Sequence, residues 1–123
     1  MSDLKTRAVA FLELASGGDV QKAFDHYVGN GFRHHNPYFA GDATSLAAGM
    51  KQNAKENPSK VLEVQRAIAD GNLVAVHSRV RLKPEGPDVG LAHIFRFDGG
   101  RIVELWDIGQ PAPEKSVNEN GMF

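Results

Sequence analysis

Three ionisable residues of this chain stand among apolar neighbours on successive predicted strands, where they could move protons. They are His77, His93 and Asp107, and a fourth candidate comes from the pair of histidines in the segment RHHNP, residues 33–37. A carboxylate beside an imidazole orients the ring and raises its basicity, which suits general acid–base catalysis near neutral pH. We therefore predict an acid–base site. The plainer alternative is that each residue is a satisfied polar group of its own strand.

The two adjacent histidines cannot both serve such a site if their segment is a strand. Successive side chains of a strand point to opposite faces, so one of His34 and His35 faces the core and the other faces away. Pro37 disfavours helix at the residue before it and cannot donate to a sheet ladder. Residues 32–35 are therefore predicted to form a short first strand, and the residues alone leave the inward histidine open.

The same histidines raise the possibility of a metal, because imidazoles with a carboxylate suit zinc or iron. The spacing argues against it: no H-x-H or H-x-x-x-H pair places two ligands on one face of one element, and the chain has no cysteine. We expect a site without a metal ion and without a cofactor.

The elements that must position these residues follow from periodicity. Apolar residues at helical spacing predict a first helix capped by Ser2 or Asp3, a second beginning at Asp19, and a third from about Asp42 to before Pro58. From residue 60 onward the apolar period changes to two. This period predicts four strands, over Val61–Ala69, Leu73–Leu82, Val89–Phe97 and Arg101–Ile108.

Turn residues between these strands favour antiparallel neighbours. Helices followed by such a meander predict an α+β fold, with the helices on one face of a curved sheet. On the strand Leu73–Leu82, alternation places His77 and Arg79 on one face. The residues that alternate with them, together with two residues of the last strand, are predicted to form an apolar stripe on the outer face of the sheet: Val74, Val76, Val80, Leu82, Ile102 and Trp106. Such a stripe favours a two-fold symmetric dimer through that face.

Composition bounds the remaining possibilities. The 123 residues fit a single domain, 1–123, in which residues 109–123 form a tail that runs over the surface or reaches across a subunit boundary. A net charge of −1 argues against nucleic-acid binding, and no apolar run approaches the roughly 20 residues of a membrane span. We expect a cytoplasmic protein that does not bind nucleic acid or membranes.

The closing segment carries a family resemblance. Residues 95–107, FRFDGGRIVELWD, followed by Gln110-Pro111, together with RHHNP, resemble the SnoaL-like polyketide cyclase family. That family shares its fold with nuclear transport factor 2 (NTF2), scytalone dehydratase and ketosteroid isomerase. The resemblance implies a cone: three N-terminal helices packed on a strongly curved, mostly antiparallel sheet that encloses an apolar pocket. It also implies that His35 and Asp107 lie in that pocket, and it suggests His93 as well.

The chain departs from its relatives at one place, since many of them have histidine where Leu105 stands. With that departure in view, our first hypothesis is a cofactor-free enzyme of the lyase or isomerase type, which binds a small hydrophobic carbonyl compound. It would catalyse proton transfer in an aldol-type cyclisation, an isomerisation or a dehydration. We expect His35 and Asp107 to be the acid–base pair, with His77 and His93 as donors to the developing enolate.

The residues expected to shape the substrate pocket are Tyr38, Phe39, Arg79, Phe95 and Leu105. The alternative hypothesis is a non-catalytic ligand-binding or dimerisation module, because one fold hosts many functions.

Overall fold

The computed structural model describes residues 3–123, which contain three helices and one five-stranded sheet. The helices are α1 (Leu4–Ser16), α2 (Val20–Tyr27) and α3 (Ala43–Glu56). The strands are β1 (Val28–His34), β2 (Val61–Asp70), β3 (Leu73–Arg81), β4 (Asp88–Asp98) and β5 (Arg101–Pro111). The predicted α+β class is confirmed. No helix among the described residues is long and apolar enough to cross a membrane.

Two of the three predicted helix starts, at Asp3 and Asp42, have side-chain caps, whereas Asp19 precedes α2 without a side-chain cap hydrogen bond. Asp3 accepts a hydrogen bond from the backbone N–H of Thr6 at 2.7 Å, and Asp42 accepts one from the N–H of Ser45 at 3.0 Å. Each carboxylate satisfies a donor that the first helical turn leaves without a partner. Ser2, the other predicted cap of α1, lies outside the described residues.

The sheet has the strand order β1-β5-β4-β3-β2, in which β1 runs parallel to β5 and every other pair is antiparallel. The meander was predicted, but β1 begins at Val28, earlier than the predicted Phe32. Val28 adopts extended backbone directly after α2 and pairs with Ile102, and the register then shifts before Arg33 pairs with Glu104. This register decides which side chains of the RHHNP segment reach the core.

The helices cover one face of the sheet, which we call the inner face. In the core between them, Phe11 of α1 packs against Phe24 of α2 and against Phe95 of β4, with ring centroids 5.4 and 5.9 Å apart. Aromatic pairs at such distances bury large apolar areas. The helices therefore seal this face and hold the strands that carry the candidate residues.

The predicted outer stripe is largely wrong. Val74, Val76, Val80 and Ile102 are buried on the inner face, because the alternation that separates the two faces does not say which one the helices will cover. Ile102 and Trp106 were predicted to share a face of the sheet, but they lie on opposite faces. A bulge in β5 makes Phe97 pair with Ile102 while Arg96 pairs with Glu104, so one extra residue shifts the alternation.

Candidate active site

A cavity of about 270 Å³ lies between the inner face of the sheet and helices α1 and α3. Most of its wall is apolar, which is usual for small-molecule sites. The apolar part includes Leu12, Met50, Leu62, Val80, Leu82 and Leu91. The polar side chains on the wall are Asn36, Asn53, Lys60, His93 and Asp107.

His93 and Asp107 form the polar centre of the cavity. They are directly paired on β4 and β5, and His93 Nε2 lies 3.3 Å from Asp107 Oδ1. Beyond the bulge in β5, the alternation of side chains places Asp107 on the inner face, as predicted. Burial lowers the pKa of His93 below its usual 6.5, and the charge of Asp107 opposes that shift. His93 is therefore neutral at pH 7, and its Nδ1 is buried without a hydrogen-bond partner among the described residues.

Asn36 fixes the position of the Asp107 carboxylate. Its Nδ2 donates to Asp107 Oδ2 at 2.9 Å, while its Oδ1 accepts from the backbone N–H of Tyr38 at 3.0 Å. The second contact is an Asx-turn, the local bond that asparagine commonly makes two residues ahead of itself. It fixes which side of the amide faces Asp107. Asn36 belongs to the RHHNP segment but was not predicted to be a site residue; its turn position before Pro37 was the available signal.

His34 faces the core, and His35 faces away from it. His34 is buried; its Nε2 donates to the carbonyl oxygen of Ala40 at 2.6 Å, and its Nδ1 accepts from the N–H of Asn36 at 3.1 Å. His34 thus uses both ring nitrogens to hold the loop that carries Asn36. This local network explains why the loop after β1 reaches the cavity.

The prediction that His35 lies in the pocket beside Asp107 is wrong. Because His34 pairs with Leu105 on the inner face, alternation sends His35 to the outer face. There its Nε2 donates to Glu104 Oε2 at 2.7 Å, and its ring stacks on Trp106 with the centroids 5.0 Å apart.

His77 also lies on the outer face, so it does not reach the cavity in which it was predicted to act as a donor. It contacts Arg66, and its ring stacks on Phe123. Its opposite neighbour on β4 is Ala92, whereas His93 is paired with Val76. The two histidines therefore lie in neighbouring cross-strand pairs, and their side chains point to opposite faces of the sheet.

The residues predicted to shape the pocket are spread over several environments. Phe39 lines the cavity, but Tyr38 is 86% exposed. Phe95 and Leu105 are fully buried in the core and do not line the cavity. Arg79 lies on the outer face, where its Nε donates to Asp88 at 2.7 Å. The expected pocket position is wrong for Arg79 because it shares the face of His77.

Lys60 and Asn53 form a second polar point on the cavity wall, which the sequence did not reveal. Lys60 Nζ donates to Asn53 Oδ1 at 2.7 Å, and burial lowers the pKa of this lysine below 10.5. As for metals, no group of three or more His, Asp or Glu side chains within residues 3–123 could hold an ion.

Residues 8–105 match the family model of the SnoaL-like domain, which covers most of the chain. This chain belongs to the SnoaL-like family. Comparison with curated proteins finds no sequence match. The expected resemblance is thereby confirmed at the level of the family.

Solved structures agree on the fold. A SnoaL-like polyketide cyclase from Agrobacterium tumefaciens is 12% identical with a TM-score of 0.73, over 89% of this chain and 93% of that one. An NTF2-like protein from Cytophaga hutchinsonii is 12% identical with a TM-score of 0.72, over 89% and 92%. AclR from Streptomyces galilaeus is 18% identical with a TM-score of 0.73, over 87% and 88%. The NTF2-like cone fold is confirmed.

Proposed function

We propose that this SnoaL-like protein is an enzyme that binds a small hydrophobic carbonyl compound in its cavity and transfers a proton next to the carbonyl group. The reaction would be an aldol-type cyclisation, an isomerisation or a dehydration. One observation carries the proposal: the Asp107 carboxylate lines an apolar cavity, and within residues 3–123 its close polar neighbours are only one amide and one imidazole. A carboxylate that faces an apolar pocket within hydrogen-bond reach of a ligand can serve as a general base.

Asp107 is the base in this proposal. Its side chain is 16% exposed, against 5% for His93, so the carboxylate is the more accessible of the two to a ligand. It would take a proton from the carbon beside the carbonyl group, and the electron pair of that C–H bond would form the C=C bond of an enolate. The enolate carbon can then be reprotonated at another position or can attack a second carbonyl group.

His93 and Asn36 support that base. His93 is neutral and lies beside Asp107 Oδ1, so it can share the proton that the carboxylate takes up. Asn36 holds Oδ2 with one amide hydrogen and has a second that can reach a ligand oxygen. A donor placed where oxyanion charge develops stabilises the transition state. His35 and His77 face away from the cavity and take no part.

The test is hydrogen exchange in a simple ketone, because enolisation can be observed before the substrate is known. The protein is incubated in D₂O with α-tetralone, and deuteration beside the carbonyl group is followed by NMR. We expect the wild-type protein to accelerate exchange and Asp107→Asn to reduce the acceleration by about 100-fold or more. His77→Gln is the matched control and should exchange at the wild-type rate. Equal rates for Asp107→Asn and the wild-type protein would exclude Asp107 as the base.

A non-catalytic ligand-binding module is the second candidate, and Leu105 favours it. At this position, where many relatives carry histidine, the chain has a fully buried leucine, which gives Asp107 no further polar partner. For this function, α-tetralone would bind without any acceleration of exchange, and Asp107→Asn would leave its affinity unchanged.

We also propose a homodimer through the outer face of the sheet. Ile68, Ala75, Ile94 and Trp106 are cross-strand neighbours there and form one apolar row, and Ile108 lies on the same face two residues beyond Trp106, opposite Ala92. Ile68 and Ile108 are 63% and 61% exposed. A second copy fits this face because a two-fold contact lets one apolar row cover the same row of its partner.

Sedimentation at high micromolar concentration tests the dimer. The wild-type protein should sediment as a dimer and Ile108→Glu as a monomer, because a charge would be buried in the contact. Val117→Glu is the control: Val117 is fully exposed in the tail, so its replacement should leave the dimer intact. A monomeric wild-type protein would contradict the proposal.

A further inference from the structure

Lys60 brings a positive charge to the cavity, and none of the carboxylates that the structure describes pairs with it. It lies directly before β2 and lines the cavity together with Asn53 of α3. Its Nζ donates to the Asn53 amide oxygen at 2.7 Å, and no carboxylate in residues 3–123 forms an ion pair with it. An ammonium group has three hydrogens to donate, so donors remain for a ligand.

Burial of this ammonium group is unfavourable as the structure stands. Loss of water lowers the pKa of Lys60, and no carboxylate within residues 3–123 offsets this shift. Lys83 shows the ordinary case nearby, since it is exposed, does not line the cavity and donates to Asn57 at 2.8 Å. An anion that entered the cavity would gain a charged hydrogen bond at Lys60, and such bonds are stronger than neutral ones.

Lys60 and Asp107 lie at different ends of the cavity. Asp107 pairs with His93, which pairs with Val76 of β3, so these residues form one cross-strand row. Lys60 is next to Val61, which pairs with Arg81 at the other end of β3. The rows of Val76 and Arg81 are about 16 Å apart along β3, at roughly 3.3 Å per residue. The charges also differ in sign, so an acidic group would be repelled at the Asp107 end and attracted at the Lys60 end.

We propose that the natural ligand is a carbonyl compound that also carries a carboxylate, and that Lys60 binds this carboxylate while the carbonyl group lies beside Asp107. The inference rests on the proposed function for the position of the carbonyl group alone. Lys60 is a specificity-determining residue in this arrangement, and the apolar wall between the two ends holds the hydrocarbon part of the ligand.

A series of ω-benzoylalkanoates tests the inference and measures the separation of the two ends. The probes carry a phenyl ketone and a carboxylate joined by two, four or six methylene groups, and each is compared with its methyl ester by calorimetry. We expect one chain length to bind best, with the acid at least about tenfold tighter than the ester. In Lys60→Gln, which removes the charge and keeps a donor for Asn53, this preference should disappear.

Two further variants complete the design. Lys60→Arg restores the charge and should recover most of the preference for the acid, and Lys83→Gln, the matched control outside the cavity, should keep all of it. Equal binding of acid and ester by the wild-type protein, or an unchanged preference in Lys60→Gln, would overturn the inference. If Lys60→Gln fails to fold, the acid and ester comparison on the wild-type protein and Lys60→Arg still decides.

The outcome is separable from that of the proposed chemistry. Loss of the acid preference with normal α-hydrogen exchange would remove Lys60 from ligand recognition and leave Asp107 as the base. A clear acid preference with no exchange would support a binding module for acidic ligands and remove the enzyme proposal.

Discussion

Two histidine–carboxylate pairs lie on opposite faces of the same sheet and differ in how fully the carboxylate is partnered. On the outer face, Glu104 accepts hydrogen bonds from Arg33, His35 and Arg96 at 2.7 to 3.3 Å. These partners lower the pKa of Glu104 to about 2. On the inner face, Asp107 accepts one hydrogen bond, from an amide, and has an imidazole at 3.3 Å.

The difference separates a structural carboxylate from one that can react. Two guanidinium groups and an imidazole donate to Glu104 and hold it in its anionic form, so it has little tendency to accept a proton from a ligand. Asp107 keeps lone pairs free toward an apolar cavity, where a ligand can approach them. Proximity of histidine to a carboxylate is therefore insufficient to identify a catalytic pair; the count of other donors matters more.

Glu104→Gln should have the largest effect on stability. It removes the charge on which two guanidinium groups and an imidazole converge, and it leaves the two guanidinium groups to repel each other. We expect the melting temperature to fall by several degrees while α-hydrogen exchange per folded molecule is retained. Asp107→Asn should give the reverse result, with exchange lost and the melting temperature unchanged or higher. Thermal melts and exchange rates of both variants check this, and a larger loss of stability in Asp107→Asn would reverse our assignment of the two carboxylates.

The same cluster should govern stability in acid. The pKa of Glu104 is lowered in the folded state, so its contribution is fully present above the unfolded value of about 4.5 and is lost as the pH falls toward about 2. Denaturant unfolding across this range should show a smaller loss of unfolding free energy in Glu104→Gln than in the wild-type protein. Parallel curves for the two proteins would show that Glu104 does not contribute this pH dependence.

Much of the fold could be predicted because it depends on local signals. Asp3 and Asp42 are helix caps whose side chains bond within one turn, and alternation marked the strands correctly. Alternation does not show which face of the sheet the helices cover. Val74 and His77 were separated correctly from each other but assigned to the wrong sides, since only packing against the helices decides which set is buried.

The site was harder to predict because it depends on contacts distant in sequence. His35 was placed in the pocket in place of His34, and the parallel register of β1 on β5 is what decides between them. The prediction that Asp107 lies on the inner face was correct, although the bulge earlier in β5 places Ile102 on the face opposite to the predicted one. Lys60 could not have been singled out, because its role depends on Asn53 of another element and on the lack of a carboxylate partner among the described residues.

A smaller effect should be visible in the titration of His93. Burial lowers its pKa below 6.5, and the negative charge of Asp107 partly opposes this. Asp107→Asn removes that charge, so the pKa of His93 should fall further, as measured by NMR of its ring protons. His77→Gln, on the other face, should leave the titration of His93 unchanged. A rise in the pKa of His93 in Asp107→Asn would show that Asp107 does not act on it as a charge.

Gly49→Ala should have the smallest effect on stability and should act on the inner face alone. An added Cβ would lie 2.3 to 2.8 Å from ring atoms of Phe39, so the ring must move. Phe39 is 40% exposed and can do so, while alanine favours the helix by up to about 1 kcal/mol, and the two changes should nearly cancel in the melting temperature. Because Phe39 forms part of the cavity wall, α-tetralone should bind several-fold more weakly. Gln52→Ala, on the same helix and away from the cavity, is the control for affinity. If Gly49→Ala bound the ketone as well as the wild-type protein, the probe would not occupy the part of the cavity beside Phe39.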